Sequence, residues 1–231
     1  MTSKILLTGA SRRVGLQLCK ALTEKGYTVI AVSRTPPKDK VKNTIYFNAD
    51  LCTREDRENL IDFIKNEHPR LRAIIHNASL WLDDSLNNLE EMYKLHIEAP
   101  FHINTRLNQN LESPNKSDII HICDESASRG SSSHIGYAST KAALQNLTLS
   151  FAQAFAPQIR VNSISPGLLI LKENHDDNYK KKTFKKALLE FEPGADPLIH
   201  AVLYLLESSY STGSNIVVNG GRHLKKGYNN D

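Results

Sequence analysis

Lys4-Ile5-Leu6-Leu7-Thr8-Gly9-Ala10-Ser11-Arg12-Arg13-Val14-Gly15 sets a short apolar run directly before a glycine turn. The run reads as a buried strand. From Arg12 to Lys25, Val14, Leu18, Ala21 and Leu22 fall on one helix face, and Gly26 closes the segment as a helix C-terminal glycine does. A strand, a glycine turn and a helix N-terminus together form an anion site, because unpaired backbone N–H groups and the positive helix end face one point. Phosphate is therefore expected at Gly9, Ser11, Arg12, Arg13 and Val14, against the alternative of a plain strand-to-helix turn. Dinucleotide loops usually place glycine where this chain has Arg13, so the arginine is expected to swing outward, toward phosphate or substrate.

The same alternation continues to the end of the chain. Strands are expected at Tyr27–Val32, Thr44–Phe47, Arg72–His76, Asp118–Cys123, Arg160–Ile164 and Asn215–Val218. Helices are expected over Thr53–Asn66 with a Thr cap, Leu89–Leu111 with a kink at Pro100, Tyr137–Phe155 and Pro197–Leu206. Apolar strands without period-two alternation are what a parallel sheet covered on both faces requires. No repeat or linker divides the 231 residues. The expectation is one doubly wound α/β domain of the Rossmann type over residues 1–231, with a parallel seven-stranded sheet. Its ligand should lie at the carboxyl ends of the strands, where the strand order reverses.

Composition narrows the function classes. Hydrophobic residues make up 40% and charged residues 23%, as in an ordinary globular protein. The net charge of +4 is mild and the basic residues form no long stripe, so nucleic acid is not an expected partner. No run approaches the ~18 apolar residues of a membrane helix, and the N-terminus lacks a signal-peptide pattern, so no membrane is expected and the cytoplasm is the default location. Three cysteines without CxxC spacing and nine histidines without an HxxxH pair suggest neither disulfide frame nor metal.

Two further stretches carry chemistry. The second strand ends in Ser33-Arg34-Thr35, where an NAD enzyme would place an acid for the ribose hydroxyls. A guanidinium flanked by two hydroxyls suits a 2′-phosphate instead, hence NADPH, unless Arg34 is only an exposed loop charge. Tyr137 and Lys141 lie four apart, on one helix face. A cation there would lower the phenol's pKa from its usual ~10 and favour acid–base work, but for an isolated pair a core Tyr with a surface Lys is the simpler reading.

These pieces resemble the short-chain dehydrogenase/reductases over nearly the whole chain. The matching residues are Thr8-Gly9, Ala49-Asp50-Leu51, His76-Asn77-Ala78-Ser79, Tyr137 with Lys141, Val161-Asn162-Ser163-Ile164-Ser165-Pro166-Gly167 and Asn219-Gly220-Gly221. The resemblance implies that Asp50 and Leu51 hold the adenine, and that Asn77, Ala78 and Ser79 line the cofactor. It also implies that Pro166 and Gly167 pass near the nicotinamide and that Lys141 holds its ribose.

Two departures narrow the choice. Thirteen residues before Tyr137, where the family usually has a serine donor, stands Asp124. A carboxylate only accepts hydrogen bonds, as a ketone oxygen does, so the two would repel. Asp124 suits a substrate presenting N–H donors, or a ring nitrogen awaiting a proton. With Arg13 it resembles the pteridine reductases of this superfamily, which implies that Arg13, Ser79, Asp124 and Tyr137 meet the pterin and that Trp81 stacks on it. The alternative for Trp81 is an ordinary core residue. A bacterial branch of those enzymes is similar in Arg12-Arg13, Trp81, Ser117-Asp118-Ile119-Ile120-His121, Arg129-Gly130-Ser131, His175-Asp176-Asp177 with Tyr179, and Gly220-Gly221-Arg222-His223-Leu224. Those enzymes also share His96, where many family members have a catalytic Asn, and this raises the question of a water relay to Lys141.

The resemblance implies NADPH-dependent reduction of 7,8-dihydromonapterin, with dihydrofolate as a second substrate. Tyr137, Lys141 and Asp124 would be catalytic, and the chain would form a homotetramer, or a dimer, through the Leu89–Leu111 and Tyr137–Phe155 helices. Residues 168–196 would cover the substrate, and Lys180-Lys181-Lys182 with Lys185-Lys186 reads as a solvated helix face. The rival readings are a 3-oxoacyl-type carbonyl reductase and a catalytically silent NADP-binding regulator.

Overall fold

The computed structural model describes residues 3–111, 117–171 and 176–225. They form one sheet of seven parallel strands in the order β3-β2-β1-β4-β5-β6-β7. The strands are β1 Lys4–Thr8, β2 Thr28–Ser33, β3 Thr44–Asn48, β4 Ala73–His76, β5 Ser117–Ile122, β6 Ile159–Pro166 and β7 Asn215–Val218. The expected single Rossmann-type domain is what forms.

Successive side chains of a strand point to opposite faces, and here both faces are covered. Ile5 and Leu7, with Val29, Ala31, Ile75 and Ile120, pack against α1 (Arg13–Glu24) and α8 (Asp196–Glu207). Leu6, with Ile30, Val32, Ile74 and Ile119, packs against α2 (Arg54–Glu67), α4 (Ala99–Leu107) and α6 (Ile135–Phe155). This is why the strands read as continuous apolar runs. The chain leaves β1 outward to β2 and β3, then returns to β4 on the other side of β1. The reversal opens a crevice past the carboxyl ends of β1 and β4.

The expected helix over Leu89–Leu111 differs most. It begins at Leu86, where the Ser85 hydroxyl accepts from Asn88 N. It then runs as α3 (Leu86–Tyr93), a wide π-type turn (Lys94–Glu98), α4 and a short 3₁₀ turn (Asn108–Asn110). Pro100 has no N–H to offer the carbonyl four residues back, and Ala99 N reaches Lys94 O, five back, instead. The expected kink is thus a widened turn just ahead of the proline, and it carries His96. The short helix α5 (Ser126–Arg129) has no counterpart in the sequence reading, whereas α7 (Asp177–Phe184) carries the lysines expected on a helix face. Thr53 caps α2 as expected, accepting from Asp56 N.

At the amino ends of the strands a buried ion cluster ties three neighbours together. Asp118 on β5 is fully buried and accepts from Arg160 Nε (3.0 Å) and Nη2 (2.9 Å) of β6, and from Arg72 just before β4. Among the described residues no helix is long and apolar enough to cross a membrane.

Removing a buried carboxylate that serves two guanidinium groups strands both charges, at about 3–5 kcal/mol. Asp118→Ala is expected to lower the unfolding free energy in urea by that amount, and an unchanged midpoint would contradict this role.

Candidate active site

Just past β1 the backbone turns at Gly9, whose φ of +70° is left-handed, and a Cβ there would lie 2.7 Å from Ala78 Cα. The loop therefore lies flat against Asn77-Ala78. Thr8 Oγ1 accepts from Asn77 N and Ala78 N, both at 3.0 Å, and Asn77 Nδ2 returns a bond to Gly9 O at 3.0 Å. A Cβ at Gly15 would fall 2.0 Å from Gly9 O, so α1 can start only this close to the loop with glycine there. The Arg12 side chain does not cap the first N–H groups of α1, and the first turn holds no acid. That leaves an N-terminus with open donors and two flanking arginines, which fits a pyrophosphate.

Arg13 takes a left-handed φ of +49°, a conformation glycine adopts freely. Its guanidinium leaves the loop and donates to a backbone carbonyl, Ile170 O, in the segment following β6. Ser33 Oγ donates to Thr35 O at 2.9 Å, and Arg34 stands exposed beside them. Asp50 Oδ1 accepts from Cys52 N, which fixes the turn that presents Asp50 and Leu51.

All of the expected site residues border a single cleft of about 1610 Å³. Gly9, Ser11, Arg12, Arg13 and Val14 form one end with Ser33, Arg34, Thr35, Asp50 and Leu51, and Asn77, Ala78 and Ser79 lie between. Pro166 and Gly167 line the cleft with Asp124, Tyr137, Lys141 and Trp81. A single small-molecule pocket usually spans ~300–1,000 Å³, so this cleft has room for a dinucleotide and a second ligand together.

The reactive groups cluster at the start of α6. Tyr137 Oη donates to Asp124 Oδ2 at 3.2 Å, and Asp124 Oδ1 accepts from Ser126 N (2.8 Å) and Ser126 Oγ (2.7 Å). Burial and the Asp124 carboxylate push the Tyr137 phenol well above its usual pKa. The expectation of a lowered value is corrected. Lys141 is on the right helix face, but its buried Nζ donates to Ile122 O at 2.9 Å and lies 5.8 Å from the Tyr137 ring centroid. At neutral pH Tyr137 is a protonated donor, and burial lowers the Lys141 pKa.

His96 proves to be a strut. Leu80 N donates to its Nε2 at 3.1 Å, so the ring proton sits on Nδ1, which faces Thr140 Oγ1 at 2.9 Å. Ser79 Oγ adds a bond to Nε2 at 3.1 Å. Burial holds the ring neutral, its pKa well below the usual value. Both nitrogens are thus committed to joining the Ser79–Leu80 loop to α6, which leaves neither for a relay toward Lys141.

Trp81 is 59% exposed, so the core alternative fails. Its ring stands 4.5 Å from the Tyr137 ring and 4.2 Å from that of His134, centroid to centroid. Sequence reasoning missed His134, which carries no motif of its own. It also missed Glu125, a buried carboxylate on the cleft that binds Arg129 Nη2 at 2.7 Å and Arg222 Nε at 3.1 Å. The Glu125–Arg129 pair is legible as a four-residue spacing. Arg222 arrives from the far end of the chain and leaves no local signal. Lys182, Lys185 and Lys186 of the α7 region edge the cleft, so that helix face is only partly turned to solvent. His175, and residues 172–175 of the covering segment, lie outside the described residues. Among the described residues no cluster of three metal-ligating side chains occurs.

The chain is similar to known proteins over most of its length. A family model described as short chain dehydrogenase matches residues 3–181. A dihydromonapterin reductase of Citrobacter koseri is 37% identical, over 96% of this chain and 97% of that protein. One from Klebsiella pneumoniae is 36% identical over the same shares. Among solved structures, 4-hydroxyisoleucine dehydrogenase complexed with NADH superposes with a TM-score of 0.89 at 23% identity, covering 97% of this chain and 100% of that one. A short chain dehydrogenase from Leptospira borgpetersenii with bound NAD+ gives 0.86 at 21% identity, covering 96% and 93%.

An exposed ring contributes little to the fold, whereas a buried Trp cut to Ala costs ~3–5 kcal/mol. Trp81→Ala is expected to change unfolding stability by less than about 1 kcal/mol. A loss on the buried scale in chemical denaturation would restore the core reading.

Proposed function

The chain belongs to the short chain dehydrogenase family, and from that premise we propose that it reduces 7,8-dihydromonapterin to the tetrahydropterin with NADPH, and dihydrofolate, which carries the same ring, as a second substrate. The observation that carries this reading is Asp124. One of its oxygens is pinned by Ser126, and the other faces the Tyr137 phenol. A carboxylate fixed in that place can accept from the N–H groups along a pterin edge and repels a carbonyl oxygen. The dihydromonapterin reductases at 36–37% identity support the same choice.

When bound, NADPH supplies the hydride for the carbon of the ring C=N bond. On the side of the protein, the Gly9–Val14 loop would hold the pyrophosphate. Ser33, Arg34 and Thr35 would take the 2′-phosphate, and Asp50 and Leu51 the adenine. Asn77, Ala78, Ser79, Pro166 and Gly167 would border the nicotinamide. Lys141, with Tyr137, would meet the ribose. The exposed Arg34, with no acid at the end of β2, is what favours NADPH over NADH.

The chain's own residues then orient the ring and manage one proton. Trp81 offers an open aromatic face, and stacking a base-like ring on such a face is worth ~1–3 kcal/mol. Arg13 and Ser79 reach the cleft beside it. Tyr137 holds a proton at Oη, because burial and Asp124 keep the phenol neutral. Asp124 lies within one hydrogen bond of that proton, so the pair can give it up toward the ring nitrogen. Leu168, Leu169, Ile170 and Leu171, with Tyr179 and Thr183, line the same cleft, and the segment 168–196 would cover the substrate.

Leu86, Tyr93, Phe101, Ile135 and Leu149 are exposed apolar residues on α3, α4 and α6. They support association through these helices into a homotetramer or dimer. The 3-oxoacyl reductase reading is weakened by the carboxylate at Asp124. The silent NADP-binding reading is weakened by an intact Tyr137 and Lys141.

Asp124→Ser replaces the carboxylate with the residue that carbonyl reductases use. A hydrogen bond to a charged group is worth ~1.5–3 kcal/mol, so activity on dihydromonapterin is expected to fall at least ~10-fold while NADPH affinity stays close to that of the wild type. Unchanged pterin turnover in steady-state kinetics would remove Asp124 from the mechanism.

A further inference from the structure

The first N–H groups of a helix need acceptors from outside the helix. At the start of α6, His134 holds the capping position but does not cap with its side chain. The acceptors come from a different loop. Asp84 Oδ2 accepts from Ile135 N at 2.8 Å, and Asp84 Oδ1 accepts from Gly136 N at 2.8 Å. The two partners lie 51 and 52 residues away in sequence. The two N–H groups hold the Asp84 carboxyl below its usual pKa, so it is charged at neutral pH and matches the positive helix end.

The position of this carboxylate matters for the cleft. Tyr137 follows Gly136 directly, and Trp81 lies three residues before Asp84 on the same loop. A Cβ at Gly136 would come within 3.3 Å of Asp84 Oδ1 and 3.2 Å of Met92 Cε, so glycine is what lets loop and helix approach. On the far side of the loop Ser85 caps α3 through Asn88 N at 3.1 Å. Asp83 O accepts from Asn88 Nδ2 at 2.9 Å. The loop is thus anchored to α3 by its own residues and to α6 by Asp84 alone among its carboxylates. The His96 strut acts higher on the same loop, at Ser79 and Leu80.

We propose that Asp84 is a positioning residue: by closing the N-terminus of α6 from the Trp81 loop, it fixes the stacking ring and the Tyr137 phenol relative to each other. Asp84 is not among the residues that line the cleft. The proposal rests on the pterin-reductase reading for its kinetic consequence and on the structure alone for its geometric one.

The sequence has a single tryptophan, so intrinsic tryptophan emission reports on Trp81 and nothing else. Three variants test the proposal: Asp84→Ala, Asp84→Asn, which keeps one acceptor, and Ser85→Ala, which loosens the same loop on its α3 side. Asp84→Ala is expected to shift Trp81 emission and to lower kcat/KM on dihydromonapterin by about 10-fold or more, because small misplacements of reacting groups are costly. Its Kd for NADPH, read by nucleotide fluorescence, is expected to stay near that of the wild type. Asp84→Asn should recover part of both effects, and Ser85→Ala should show neither. Wild-type emission and kcat/KM in Asp84→Ala, or equal effects in Ser85→Ala, would overturn the proposal. A wild-type protein inactive on every dihydropterin would defeat the pterin reading, and the emission shift would still decide the geometry.

Discussion

The phenol of Tyr137 donates to the carboxylate of Asp124, and the surrounding elements leave that contact one geometry. Ser126 holds the carboxylate with two donors from the turn after β5. Lys141, one turn below the phenol, is anchored to the last carbonyl of β5. Thr140, between them in sequence, is tied through His96 to the loop after β4. Two adjacent strand ends and one helix thus meet at a single hydrogen bond. The protonation state of the pair follows from its burial: removing phenolate from water beside a carboxylate is unfavourable, so the proton stays on oxygen until a substrate claims it.

The sheet explains why these groups share a cleft. A parallel sheet with both faces packed leaves only its strand ends for chemistry. The residues lining the cleft fall accordingly, at the ends of β1, β2, β3, β4, β5 and β6, with Tyr137 and Lys141 added from α6. The reversal between β1 and β4 opens the space in which the glycine loop and the Asn77–Trp81 loop face each other. Asp118 and its two arginines hold the opposite ends of the strands, so stability and chemistry occupy different ends of the same sheet.

Most of this was legible from local patterns. Apolar runs marked the strands, Gly9 and Gly26 marked the ends of elements, and Tyr137 with Lys141 stood at helical spacing. What stayed hidden depends on contacts between distant parts of the chain. The cation of Lys141 turns to a strand carbonyl rather than to the phenol, so the direction of the Tyr137 pKa shift could not be read from spacing. The wide turn at His96 arises from a proline four residues on, acting within a packed helix. Asp84 reads as a loop acid because its partners lie more than fifty residues away. Trp81 was ambiguous between core and cleft, and only its exposure decides between them.

On the proposed reading, the Asp124–Tyr137 pair selects a flat ring with N–H donors over a simple carbonyl. The most direct measurement is NADPH oxidation by the wild-type protein with dihydromonapterin, dihydrofolate and a 3-oxoacyl thioester side by side, repeated with NADH. Turnover on the two pterins with NADPH, weak use of NADH and no useful rate on the thioester are the expected results. Preference for the thioester would contradict that reading.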